Sequence, residues 1–311
     1  MRISLSKITD SFDRLVLQPQ SALPIAIFRI LLAICTLLGT SSPDFMTWFS
    51  VEGWPQHFIS KDIFVIDLFR VLPQTAESSR LLYSILMGSA LCLGLGLFTR
   101  LSSFLVWLSL VSLTNHYPYG CGGQDALREI CAFFLIFSPA GKRLSLDNWL
   151  CKKFKKGGEN LEAEFSPYAQ RLIQLQIASI YWQAFWIKLP GHTWIDGSAI
   201  YYLFHIKELC YQSPPFLREE LWFSQLLSWG ALAVELALWA LVWFKKLRYP
   251  ILLSGVLLHL GIEFTSNIPF FGLTMISSYV LFIDSKDLEA ILLKLKSLFA
   301  KKTDASSVSV P

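Results

Sequence analysis

Charge is what this sequence has least of. Only 16% of its 311 residues are Asp, Glu, Lys or Arg, against 53% hydrophobic residues and a mean hydropathy of +0.47. So thin a polar complement excludes an ordinary soluble surface and points to a polytopic membrane protein. Cysteine motifs are missing too, since the six cysteines are scattered with no C-x-x-C, and there is no H-E-x-x-H. No internal repeat is visible, which argues against the paired halves of many transporters. The first apolar run is long and is followed by seven more, so it reads as a span and not as a cleaved signal peptide. The net charge of +4 is carried mainly by loop residues, and nothing suggests nucleic acid as a partner.

What is there is a succession of apolar stretches, at about 22–40, 81–98, 102–118, 126–140, 168–189, 222–244, 249–266 and 270–284. The expected fold is an all-α helical bundle with about eight transmembrane helices in a lipid bilayer. Lys and Arg gather preferentially in cytoplasmic loops. Arg2, Lys7, Arg14, Arg100, Lys142, Arg143, Lys152, Lys153, Lys155, Lys156, Lys245, Lys246 and Arg248 all fall on one side of the alternating pattern. The opposite loops have no basic residue between His116 and Asp125 or between Glu263 and Asp284, and Lys207 and Arg218 are diluted by Glu208, Glu219 and Glu220. Both termini are therefore expected in the cytoplasm, and the cell (inner) membrane is the expected location.

Residues 1–21 read as a cytoplasmic lead-in, 22–284 as the transmembrane domain, and 285–311 as a cytoplasmic tail. In that tail Leu288, Ile291, Leu292, Leu295 and Leu298 form one helical stripe, and order is expected to end near Thr303. Two long outer segments, Ser41 to Arg80 and Pro190 to Leu221, are rich in aromatics, including Trp48, Trp54, Trp194, Tyr201, Tyr202, Phe204 and Tyr211. Such residues favour the headgroup level, so the two segments could roof a cavity. Cys121 and Cys210 fall on the outer face, where a disulfide is open to them in an oxidising compartment, although two free thiols are the preferred reading.

Ionisable residues inside the spans carry the functional signal. Lys188 ends the apolar run from Tyr168 to Leu189, and a lysine at membrane depth costs about 2.5 to 3.5 kcal/mol, so it needs a partner or a wet cavity. Helical spacing puts Arg171, Gln174, Ala178, Tyr181, Phe185 and Lys188 on one stripe. Gln225, Ser228, Leu232 and Glu235 share another, as do Gly255, His259 and Glu263, while Asp125 and Arg128 are neighbours with Glu129 one position round. The alternation of spans places His116, Asp125, Arg128, Lys188, His259 and Glu263 in the outer half, with Glu235 near the middle. The expected site is therefore a polar pocket facing outward, with Trp182 and Trp186 as apolar walls. Arg29 and Arg171 lie toward the inner side, where they are expected to form structural ion pairs or to snorkel. Each site residue also has a structural reading: Arg128 with Asp125 or Glu129 as an ion pair, Glu235 as interhelical glue, Lys188 as a snorkelling lysine before Pro190-Gly191. His259 and Glu263, one histidine and one carboxylate, fall short of a metal site.

Ala26-Ile-Phe-Arg-Ile30, Thr99-Arg-Leu-Ser102, Gly122-Gly-Gln-Asp125, Phe137-Ser-Pro-Ala-Gly141, Ser145-Leu-Asp147, Gln176-Ile-Ala-Ser-Ile-Tyr181 through Lys188-Leu189, Trp194-Ile-Asp-Gly-Ser-Ala199, Glu235-Leu236 and His259-Leu-Gly-Ile262 form an ordered series. That series resembles the horizontally transferred transmembrane (HTTM) domain, the membrane part shared with vitamin K-dependent gamma-carboxylases. The resemblance implies that Lys188 is the base that deprotonates a reduced vitamin K-type quinone; oxygen then yields a strong base, and the family products are carboxyglutamate and quinone epoxide. A lysine kept dry gives up its proton more readily, which suits that role. Gln124 stands about where the carboxylases place a histidine, and their large outer peptide-holding domain has no counterpart here, so peptide carboxylation by this chain alone is not expected.

The expectation is a gamma-carboxylase-like enzyme of the lipid phase, with Lys188 as catalytic base and Asp125, Arg128, Tyr181, Glu235, His259 and Glu263 around its substrate pocket. A lipid-soluble quinone is the expected ligand. The alternative is a non-enzymatic accessory factor for a small exported peptide, similar to the membrane proteins that help mature a sporulation-delaying toxin; it would depend on Trp54 and Trp194 more than on Lys188. A transporter is the third reading.

Overall fold

The computed structural model describes residues 18–41, 65–73, 75–116, 121–154, 164–210, 212 and 214–307. Arg2, Lys7, Arg14, Lys155, Lys156, Tyr211 and the aromatic run from Trp48 to Trp54 lie outside them. Among the described residues the structure is helical, with two isolated β-bridges, Gln20 to Phe165 and Cys210 to Ser266.

The long helices run up and down between two ends. Helix α1 (Leu23–Thr40) starts at the end where the chain enters, called here the near end, and finishes at the far end. Helix α2 (Ala76–Leu95) returns, α3 (Thr99–His116) goes out, and α4 (Gly123–Ile136) returns to a short α5 (Leu146–Phe154). Helix α6 (Tyr168–Lys188) again runs outward, about 30 Å for 21 residues. Three short helices, α7 (His192–Ile195), α8 (Ala199–His205) and α9 (Pro215–Glu219), then build a far-end cap. Helix α10 (Leu221–Ala240) returns, α11 (Lys245–Thr265) goes out, and α12 (Phe271–Ser278), continued by a 3-10 turn (Tyr279–Phe282), leads back to α13 (Ser285–Ser307).

Four of these helices, α1, α2, α10 and α11, are long and apolar enough to cross a membrane by length and composition. The others are shorter or more polar. Helix α3 buries Ser102, Ser103, Ser109 and Ser112, small residues that let neighbouring backbones approach closely, and α6 carries Gln170, Arg171, Gln174 and Lys188. Helix α1 is the centre of the bundle, with Leu23, Ile25, Phe28 and Leu32 fully buried in its core. At the periphery the pattern inverts: Leu226, Leu253, Leu257 and Phe264 on α10 and α11 are more than half exposed. A water-facing surface of that kind would be a liability, whereas a hydrocarbon-facing one is what a membrane helix needs.

The near end is a tight knot. Gly96 closes α2 in the left-handed conformation (φ 71°), and a Cβ there would sit 2.0 Å from Arg29 Nη1. Asp147 then accepts hydrogen bonds from the backbone N–H groups of Phe98 (2.9 Å) and Thr99 (3.1 Å) at the start of α3. Arg29 is fully buried and its Nη2 donates to the Leu144 carbonyl at 2.6 Å. Snorkelling, one of the two roles expected for it, does not occur: the guanidinium stays inside, on the Leu144 carbonyl and beside Gly96. Helix α13 docks through Leu288 and runs through Ser307, past Thr303 where order was expected to end; Ile291, Leu295 and Leu298 of its stripe remain exposed.

Candidate functional site

The last turn of α6 brings Lys188 against α10, where its Nζ forms an ion pair with Glu235 Oε1. The helix stops there for local reasons: Pro190 cannot continue it, and Gly191 N–H turns back to the Lys188 carbonyl at 2.9 Å. A cation at a helix C-terminus also suits the partial negative charge of the last carbonyls. Glu235 is 7% exposed and its second oxygen, Oε2, is buried with no hydrogen-bond partner. Lys188 is half-buried, and the Trp194 ring lies 5.2 Å from its Nζ, a cation–π contact.

Trp194 is held in place by the α7 cap. Trp229 Nε1 donates to the Ile195 carbonyl (3.2 Å) and Gln225 Nε2 to the Asp196 carbonyl (3.0 Å), fastening the segment to α10. Gly197 (φ 80°) permits the turn, and a Cβ there would meet the Gln225 Cα at 2.9 Å. The N–H and hydroxyl of Ser198 both donate to Asp196, which holds that exposed carboxyl below its ordinary range.

Beneath the ion pair lies a buried chain of polar side chains. The Tyr181 hydroxyl is 2.7 Å from His259 Nε2 and 2.5 Å from the Tyr279 hydroxyl. The other imidazole nitrogen, Nδ1, is buried without a hydrogen-bond partner. Lys188 is within electrostatic range of His259, and Glu235 of Tyr181, so the pair and the chain form one cluster. Gly255 makes room for it, since a Cβ there would lie 2.7 Å from the Tyr279 hydroxyl. Trp182 and Trp186, expected as walls of the pocket, are half exposed on α6 and touch each other, with Trp182 packed on Trp239 at 4.1 Å between ring centroids.

The remaining expected site residues are spent inside the bundle. Arg128 pairs with Asp125, donates from Nη1 to the Cys35 carbonyl at 3.1 Å, and lies over Gly39. Asp125 also accepts from the Gly122 N–H at 2.8 Å. The Glu263 carboxylate accepts from the N–H groups of Phe270 (2.8 Å) and Leu273 (3.3 Å), supporting Phe270 in a left-handed conformation at the start of α12. Glu263 and His259 therefore point their polar atoms to different partners. His116 is buried on Asp67 (3.4 Å) and stacked on Phe69. Cys121 and Cys210 are free thiols, and Cys210 donates to the Thr265 carbonyl.

Sequence reasoning missed Tyr279 and Asp67. Tyr279 sits in one of the two shortest apolar stretches, with no charged neighbour to draw attention to it, and Asp67 falls in a connector whose path no periodicity fixes.

The arrangement of Lys188, Glu235, Tyr181 and His259 on neighbouring helices can be set beside known proteins. The profile of the HTTM domain matches residues 17–286. The chain belongs to the HTTM-domain family. Neither curated proteins nor solved structures give a match. Within the HTTM domain, the segments whose order carried the resemblance divide between the two ends: Arg29, Thr99, Gly141 and Asp147 gather in the near-end knot, whereas Tyr181, Lys188, Asp196, Glu235 and His259 form the far-end cluster and its cap.

Proposed function

We propose that this HTTM-domain protein takes a proton from an acidic hydroxyl of a lipid-phase ligand, of reduced-quinone type, with Lys188 Nζ as the acceptor. The observation that carries this reading is the Lys188–Glu235 contact, with the Trp194 ring against the ammonium. The residues present fit such a ligand. Glu235 Oε2 and His259 Nδ1 are both buried without partners, and the neighbouring indoles offer flat apolar surface. For Lys188 to accept, its own proton first passes to Glu235 within the pair, leaving a neutral amine and a carboxylic acid; the amine then takes the proton of the ligand hydroxyl, and the ammonium so formed balances the ligand's oxyanion. In a dry setting the proton of such a pair has little to gain from staying on either atom, so small displacements can move it. Tyr181, fixed by His259 and Tyr279, would hold the ring beneath in one orientation. Bound reduced quinone would supply the electrons for oxygen reduction. The bundle is read as eight crossings with both termini cytoplasmic, which puts Lys188 on the outer side.

Purified protein in detergent, given reduced naphthoquinone and oxygen, is expected to form quinone epoxide in the wild type and none above background in Lys188→Ala. Full activity in Lys188→Ala would sink the mechanism, and no epoxide in either protein would turn attention to peptide handling. Orientation has its own check: exposed Cys151, at the near end, should react with an impermeant thiol reagent only in opened cells.

A further inference from the structure

A second site lies at the other end of the molecule. Where α6 begins, α11 begins and α13 begins, the chain leaves a cavity of about 590 Å³, well within the range of small-ligand sites. Among the described residues, Arg171, Lys245 and Arg248 line it with one carboxylate, Asp284, three positive charges and one negative, or +2. The guanidiniums are already oriented. Arg171 Nη1 donates to Gln174 Oε1 at 2.8 Å, and Gln174 is in turn fixed through its amide nitrogen, 2.6 Å from the Leu281 carbonyl. Gln170 bonds the same carbonyl at 2.8 Å. Arg248 Nη1 donates to Asp284 Oδ1 at 3.1 Å and its Nε to the Val242 carbonyl at 3.3 Å. Gathering like charges around one space is unfavourable unless something negative enters it. Forked guanidiniums match the oxygens of a phosphate better than any other common anion but carboxylate, and basic pockets between membrane helices are typical headgroup sites.

We infer that this near-end cavity binds a phosphate-bearing anion through Arg171, Lys245 and Arg248, with Asp284 as the built-in competitor that the ligand displaces from Arg248. Two sources share that chemistry: an anionic phospholipid headgroup entering from the bilayer, and a soluble phosphate compound. The exposed Leu293, Leu295 and Leu298 of α13, which starts at the cavity mouth, make the first the committed source. The site is independent of Lys188, which lies at the opposite end of α6.

Thermal unfolding of the full-length, detergent-purified protein tests it, with dihexanoyl-phosphatidylglycerol, dihexanoyl-phosphatidylcholine or inorganic phosphate added at matched ionic strength. Phosphatidylglycerol is expected to raise the Tm of the wild type, phosphatidylcholine to do so less, and the Lys245→Gln/Arg248→Gln variant to lose the difference. Asp284→Asn, at an exposed position, is expected to lower the half-saturating concentration about fivefold, the size of removing one nearby like charge. A response to inorganic phosphate as well would support the site and assign it to soluble ligands. Equal shifts with both lipids, no shift with any addition, or an unchanged half-saturation in Asp284→Asn would overturn the proposal. The last criterion stands even if the double variant does not fold.

Discussion

Lys188 at the end of α6 and Glu235 in the last third of α10 form an ion pair between the two helices, with Trp194 beside the ammonium. Each charge would be costly alone at that depth. Together they tie α6 to α10 and leave the lysine only partly buried.

Removing one partner strands the other. Glu235→Ala is expected to lose about 3 to 5 kcal/mol of stability, and Lys188→Met/Glu235→Leu to regain most of it. Reversible unfolding in mixed micelles measures both. Additive losses in the double variant would mean that the contact contributes nothing.

The hydroxyl of Tyr181 joins His259 to Tyr279, so Tyr181→Phe leaves two buried groups without their shared partner. A stability loss of about 1 to 3 kcal/mol is expected. Any Lys188-dependent activity should fall with it through kcat more than through KM, whereas a purely structural tyrosine would change only the unfolding curve.

Gly197 holds the cap that carries Trp194. With φ at 80° and a Cβ 2.9 Å from the Gln225 Cα, Gly197→Ala combines backbone strain with a clash. The expected cost is about 1 to 3 kcal/mol. Greater quenching of tryptophan fluorescence by a water-soluble quencher would report the loosened cap; an unchanged spectrum and stability would show that the turn has room.

At the opposite end, Gly96→Ala drives a methyl group into Arg29 and Ser145. It is expected to destabilise the protein by at least about 3 kcal/mol, since neither the buried guanidinium nor the Ser145 backbone can withdraw. Expression and unfolding measurements decide this. Normal stability would mean that the knot around Arg29 is looser than its geometry.

The class of fold was legible because it rests on averages: scarcity of charge, long apolar stretches, and 3.6-residue spacing that put Tyr181 and Lys188 on one face. The same spacing brought out Glu235 and His259, each as a polar residue on a span that had no other reason to carry one. It could not tell which polar residues meet. Arg128 and Asp125 look as suggestive as Lys188 in the sequence, yet they satisfy each other and the Cys35 carbonyl. Arg29 gave no sign that a glycine 67 positions away and a carbonyl at Leu144 would enclose it, because tertiary closure leaves no local pattern. Tyr279 and the near-end cavity were invisible for a related reason: Tyr279 meets side chains of α6 and α11, and the cavity lies where α6, α11 and α13 begin, meetings that leave no local pattern.

The most direct test is the ultraviolet spectrum of a reduced naphthoquinone bound under anaerobic conditions, where no oxygen chemistry intervenes. With Lys188 as proton acceptor, wild-type protein should shift the ligand toward its deprotonated spectrum at neutral pH, and Lys188→Met should bind it without that shift. The same deprotonated spectrum in both proteins would contradict a role for Lys188 as the base.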